Sequence, residues 1–159
     1  MRRPGVPAVA KRFPLETVRS VVHRRAEDAA AVVRGQAARL QAAEGKLAEL
    51  ERYRDEYRMQ RGQVLTEGAS GARLREFDAF LVRLGAAVEA QRTEVVRARA
   101  SWELARTTWQ EQHRQEQAFD VLAQRHDERE AKREQKQEQK GQDEFARRVH
   151  TEGGRAPRK

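Results

Sequence analysis

The chain has 159 residues, of which 36% are charged, 38% apolar and only 6% aromatic, with no cysteine. Ordinary soluble domains carry roughly 45–50% apolar and about 25% charged residues, so a large globular core is excluded. The lack of cysteine removes disulfides, thiolate catalysis and cysteine-based zinc sites together. The net charge of +8 is carried by the two ends of the chain. Arg2, Arg3, Lys11, Arg12, Arg19, Arg24 and Arg25 stand against Glu16 alone. Arg147, Arg148, Arg155, Arg158 and Lys159 stand against Glu152. The long middle is therefore close to neutral, unlike a nucleic-acid binder that spreads positive charge along a face or a reading helix.

Residues 1–13 read as a basic, flexible N-terminal arm. No apolar stretch approaches the roughly 18 residues that span a bilayer, and none follows Met1-Arg2-Arg3-Pro4-Gly5 as a signal-peptide core. The expectation is a soluble, non-secreted protein. From Leu15, apolar and small residues recur by threes and fours as Val18, Val22, Ala26, Ala29, Val33, Gln36, Leu40, Ala43, Leu47 and Leu50, continuing through Arg54 and Tyr57. This spacing predicts a first coiled-coil helix over 14–66. The consecutive steps of four at Val18, Val22 and Ala26 read as a stutter in the heptad.

In residues 67–72, Gly68 can close one helix in a left-handed conformation and Ser70 can cap the next. A second coiled-coil helix is predicted over 73–124. Its seam runs Leu74, Phe77, Leu81, Leu84, Val88, Gln91, Val95, Ala98, Trp102, Ala105 and Trp109 in unbroken alternation, followed by Phe119 and Leu122. The fold class is all-α: a long antiparallel two-helix coiled coil, or helical hairpin, with an extended C-terminal helix. If the turn folds the chain back, facing residue numbers add to about 138. Trp102 then meets Gln36 and Trp109 meets Ala29, so large side chains face small ones; the alternative, a parallel homodimer, sets Trp against Trp and Ala against Ala and packs less evenly. Residues 125–150 read as a charged helical extension of strong helix formers with no apolar face apart from interruptions such as Ala131 and Phe145; the segment is either a frayed or disordered tail or a helix that docks on a partner. Residues 151–159 read as a disordered basic tail.

Nothing in the chain looks catalytic. His23, His113, His126 and His150 make no metalloprotease spacing and no pairing with a serine nucleophile. His23 and His113, with Glu27 and Glu116 nearby, can be drawn as a metal site, yet helical surface histidines are ordinarily solvated polar residues. Gly68, Gly71, Gly153 and Gly154 build no phosphate-cradling loop. The reading is therefore a non-enzyme with no cofactor and no metal. One feature remains after the seam is assigned: Phe80, Leu84, Ala87 and Gln91 form a stripe along one flank of the second helix. Either Phe80 folds over the hairpin tip, or the stripe docks another protein. Tyr53 and Tyr57 fall near the same end and either widen that patch or pack the seam.

Several segments resemble the FliJ family of flagellar protein-export components. They are Phe13-Pro14-Leu15-Glu16-Thr17-Val18, Leu50-Glu51-Arg52-Tyr53-Arg54-Asp55-Glu56-Tyr57, Phe80-Leu81-Val82-Arg83-Leu84 with Ala87 and Gln91, Ser101-Trp102, and Glu138-Gln139-Lys140-Gly141-Gln142-Asp143-Glu144-Phe145-Ala146. The resemblance implies an antiparallel coiled coil similar to that of the γ subunit of rotary ATPases. It implies a central stalk on the hexameric flagellar export ATPase, linked to the cytoplasmic domain of the membrane export-gate protein, with export chaperones as further partners. On that resemblance Phe80, Leu84, Ala87 and Gln91 face the gate, with Gln91 where some relatives would carry a histidine. Lys11, Arg12, Arg24, Arg25, Gln139, Lys140, Asp143 and Glu144 face the ATPase. Location would be cytoplasmic, peripheral to the membrane at the flagellar base. Two alternatives are the equivalent stalk of a virulence type III secretion system and a basic coiled-coil protein that binds nucleic acid.

Overall fold

The computed structural model describes residues 12–153, which form two helices, α1 (Glu16–Thr66) and α2 (Gly71–Gly153). They pack against each other as an antiparallel coiled-coil hairpin, and α2 is the longer, at 83 residues against 51. Among the described residues there is no strand. Lys11, most of the basic N-terminal arm and the last six residues of the chain lie outside the described residues.

Pro14 precedes α1, and the backbone turns in through Glu16 N–H donating to the Phe13 carbonyl at 3.1 Å. Glu16 places a carboxylate in the first turn, where it complements the positive end of the helix dipole. At the other end Gly68 adopts φ of 82°. Around it, the Ala69 N–H donates to the Val64 carbonyl at 3.1 Å and the Gly68 N–H to that of Leu65 at 3.2 Å. These two bonds satisfy carbonyls that α1 leaves without an amide partner, and they require the left-handed residue between them. Two residues later the Ser70 hydroxyl accepts from the Arg73 N–H at 3.3 Å, capping α2. The tight turn is therefore built as the residues foretold, with α2 starting at Gly71, two residues ahead of the expected position.

The chain packs as two units. In residues 24–113, burial recurs on α1 at Ala26, Ala29, Val33, Gln36, Leu40, Ala43, Leu47, Leu50, Arg54, Tyr57, Arg61 and Val64. On α2 it recurs at Leu74, Phe77, Leu81, Leu84, Val88, Gln91, Val95, Ala98, Trp102, Ala105, Trp109 and Gln112. Both series alternate threes and fours without a break, as a heptad seam requires. Among the described residues, Val88 alone has its side chain removed from solvent completely. Cross-helix contacts hold the predicted register to within a few residues. The Gln91 amide donates to the Ala43 carbonyl at 3.0 Å, and ion pairs join Arg61 to Asp78 at 2.6 Å, Arg92 to Glu51 at 2.8 Å and Arg99 to Glu44 at 2.7 Å.

In the second unit, residues 12–23 pack on α2 from Arg114 onward. Here the structure differs from the sequence expectation. Leu15 and Val18 are each 42% exposed, and the half-buried Arg19 takes the seam place ahead of the buried Val22. Starting at Arg19, the steps on α1 alternate regularly, so the stutter is absent. Arg19 can occupy this place because its guanidinium donates to Asp120 of α2 at 2.8 Å while its methylenes cover the seam. That hydrogen bond is the main cause holding the guanidinium above its ordinary value. On α2, Ala123 is buried whereas Leu122 is 45% exposed, so the small residue holds the seam position expected of its neighbour. His23 pairs with Glu116, and the ring of Phe13 meets that of His126 edge-on at 5.5 Å. From Ala131 every residue of α2 is exposed. The helix nevertheless runs through Gly141 and includes Thr151, Glu152 and Gly153, which the sequence reading placed in the tail.

Candidate partner-binding surfaces

The stripe on α2 is two different surfaces. Leu84 is buried at 9% exposure in the seam, and Gln91 is half-buried with its amide committed to the Ala43 carbonyl. Phe80 and Ala87, one heptad apart, form the exposed row beside it. Phe80 is 36% exposed and lies on Tyr57 with ring centroids 4.3 Å apart. Tyr57 in turn approaches Phe77 at 6.2 Å. One ring face of Phe80 therefore packs on Tyr57 at the seam and the rest faces outward. Tyr57 packs the seam, whereas Tyr53 is 48% exposed, with the Arg52 guanidinium 5.9 Å from its ring centre. An aromatic with one face supported and one open keeps its rotamer before any partner arrives, which lowers the ordering cost of binding.

The second set is spread along the chain. Arg12 is exposed just ahead of α1, Arg24 and Arg25 are exposed on α1, and Lys11 lies outside the described residues. Gln139, Lys140, Asp143 and Glu144 are all exposed on α2, with 139 and 143 on one face and 140 and 144 beside them. The same stretch holds an apolar strip that the sequence reading treated as an interruption. Phe145 is 71% and Val149 55% exposed, and together with Ala146, His150 and Gly153 they line a shallow surface depression. The i, i+4 spacing of Phe145 and Val149 was the available signal.

His23 and Glu116 pair with each other, and among the described residues no group of three or more acidic or histidine side chains is gathered as for a metal. Likewise no described helix is long and apolar enough to cross a membrane. The depressions on both units are open and shallow, lined by side chains of two facing helices or of a single helix. What the residues offer is a set of helical faces, suited to recognition of other proteins.

A family model described as the flagellar FliJ protein matches residues 11–155, which is nearly the whole chain. The chain belongs to the FliJ family. It is thereby a component of flagellar, type III protein export, built as a helical coiled coil. Among solved structures, a YscO homolog from Chlamydia trachomatis is similar at 24% identity with a TM-score of 0.59, covering 89% of this chain and 96% of that one. At that identity the likeness concerns the fold, a hairpin of two long helices. No curated protein matches. The FliJ match includes the whole exposed stretch of α2 from Ala131 to Gly153, so the segment that buries nothing is part of the family pattern.

Proposed function

We propose that this FliJ-family chain is the central stalk of the flagellar export ATPase, stimulating the hexamer and coupling it to the membrane export gate. The observation that carries the reading is the continuous, fully exposed helix from Ala131 to Gly153. A helix of that length without a packed face is marginal in water, because most helical stability in proteins comes from tertiary packing. A ring of ATPase subunits supplies the missing surface. Gln139, Lys140, Asp143 and Glu144 offer it hydrogen bonds and charge, and the Phe145 and Val149 strip offers apolar area. Arg12, Arg24, Arg25 and Lys11 add basic contacts.

The coiled coil then presents the other face to the gate. In this reading Phe80 and Ala87 touch the cytoplasmic domain of the gate protein, while Leu84 and Gln91 hold that row in place from within the seam. Export chaperones are further partners, and the chain works in the cytoplasm, peripheral to the membrane. The flagellar description of the matching family favours this over the virulence-system stalk. A single stalk inside a six-fold ring must touch the subunits unequally, so it can bias their catalytic states by differential contact.

The test is ATP hydrolysis by the cognate flagellar export ATPase across a concentration series of this protein that passes one chain per hexamer. Stimulation saturating near that ratio is the expected result. Absence of both stimulation and co-migration with the hexamer overturns the reading.

A further inference from the structure

The two flanks of the coiled coil in residues 24–113 are not alike. One is closed by charge: Arg92 bridges to Glu51 and Arg99 to Glu44 across the helices, at 2.8 and 2.7 Å. On the other flank, no described ion pair crosses between the helices. Its residues on α1 recur every seven places as Arg25, Val32, Arg39, Lys46 and Tyr53. Facing them on α2 are Phe80, Ala87, Glu94, Ser101 and Thr108.

This open flank has a groove with two chemically distinct parts. In the first, Val32 and Leu104, 53% and 70% exposed, stand as walls over Ala29 and Ala105. The small floor residues let another backbone come close, and the walls give it apolar contact without further burial inside the hairpin. Beside it the groove continues between Arg39 and Arg97. The one carboxylate lining that part, Glu94, is already bound to Arg97 at 2.9 Å. Arg39 makes no described ion pair, nor do Arg25 and Lys46, one heptad away on either side of the Val32–Arg39 span. Asp28 and Glu49 belong to the next row outward on α1.

We propose that this open flank docks an amphipathic acidic helix of a partner protein, whose apolar side chains seat between Val32 and Leu104 and whose carboxylates meet Arg39 and its neighbours. The heptad spacing of Val32 and Arg39 asks for anchor and carboxylate about two turns apart on the incoming helix. A second copy of this chain does not suit the groove. Paired on the same flank it would set Arg25, Arg39 and Lys46 against the same cations, and its exposed α2 stretch carries lysine and arginine as often as acid. This inference does not depend on the ATPase reading.

The experiment uses the full chain and a designed helical peptide with leucines on one face and glutamates one heptad to either side, labelled for fluorescence anisotropy. A second peptide replaces each glutamate by lysine. Binding of the acidic peptide about tenfold tighter than the lysine version is expected. Leu104→Asp is expected to abolish it, and Arg39→Glu to shift the preference towards lysine. Circular dichroism checks that both variants keep their helicity, as substitution at exposed positions should allow. Equal binding of both peptides, or binding that Leu104→Asp leaves unchanged, overturns the proposal. So does a wild-type dimer in sedimentation that Leu104→Asp dissociates, because the second copy is then the occupant.

Discussion

Residues 24–113 and residues 131–153 have similar local chemistry and opposite fates. In the first, every third or fourth residue is withdrawn from water and Val88 is removed from solvent entirely. In the second no residue is buried, although α2 passes through it without a break. Both are rich in good helix formers, so propensity alone does not separate them. What separates them is whether apolar residues repeat with the period of the helix. Where they do, another helix of the same chain covers them. Where apolar residues are confined to a short strip such as Phe145 and Val149, the helix has nothing to hold it except its own backbone and what it binds.

The largest effect should come from removing the second region altogether. A chain ending after Ala123 is expected to keep its hairpin helicity by circular dichroism and lose stimulation of the export ATPase. Full stimulation by the truncated chain would sink the stalk reading and leave the exposed helix without a role. In the paired region, Val88→Ala opens a cavity at the most buried side chain and should lower stability by about 2 kcal/mol in urea unfolding. Truncation of an exposed residue such as Val82, at 73% exposure, is the contrasting control.

Gly141 tests the exposed region in the opposite direction. A methyl group there meets nothing within 4 Å, so Gly141→Ala carries no steric cost. It should stabilise the free helix by about 1 kcal/mol, read as slower amide exchange around residue 141. No change would mean that the segment is not helical before binding. The smallest effect concerns pH in the paired region. The hydrogen bond from Arg61 is the main cause holding the Asp78 carboxyl below its ordinary value. A depressed carboxylate contributes stability above its unfolded value and loses it as pH falls through its folded value. Melting curves below about pH 4 should therefore decline less steeply for Asp78→Asn than for the wild type. The pair is solvent-exposed, so the difference should be slight.

The turn was legible because its causes are local: Gly68 supplies a positive φ and Ser70 a capping oxygen, and both act within a few residues of themselves. The seam of α2 was legible because its period is unbroken. Less legible were the ends of the seam, where more than one residue could fill a position. Val18 and Arg19 both suited the start of α1 on spacing alone. Asp120 on the other helix decided in favour of Arg19. Leu122 and Ala123 posed the same choice on α2, and Ala123 took the seam although it is the smaller of the two. The stripe was half legible. Spacing placed Phe80, Leu84, Ala87 and Gln91 on one flank, but only packing separated the outward pair from the inward pair.

By itself, the sequence determined two long helices, the turn between them and the absence of a seam beyond residue 130, because each follows from the order of side chains along one helix; their antiparallel pairing within one chain came from the structure. The tertiary structure alone decided which flank is closed by Arg92 and Arg99 and which is left open beside Val32 and Leu104. That choice depends on the rotation of one helix about its axis against the other, and the rotation is set by how all the seam side chains interdigitate at once.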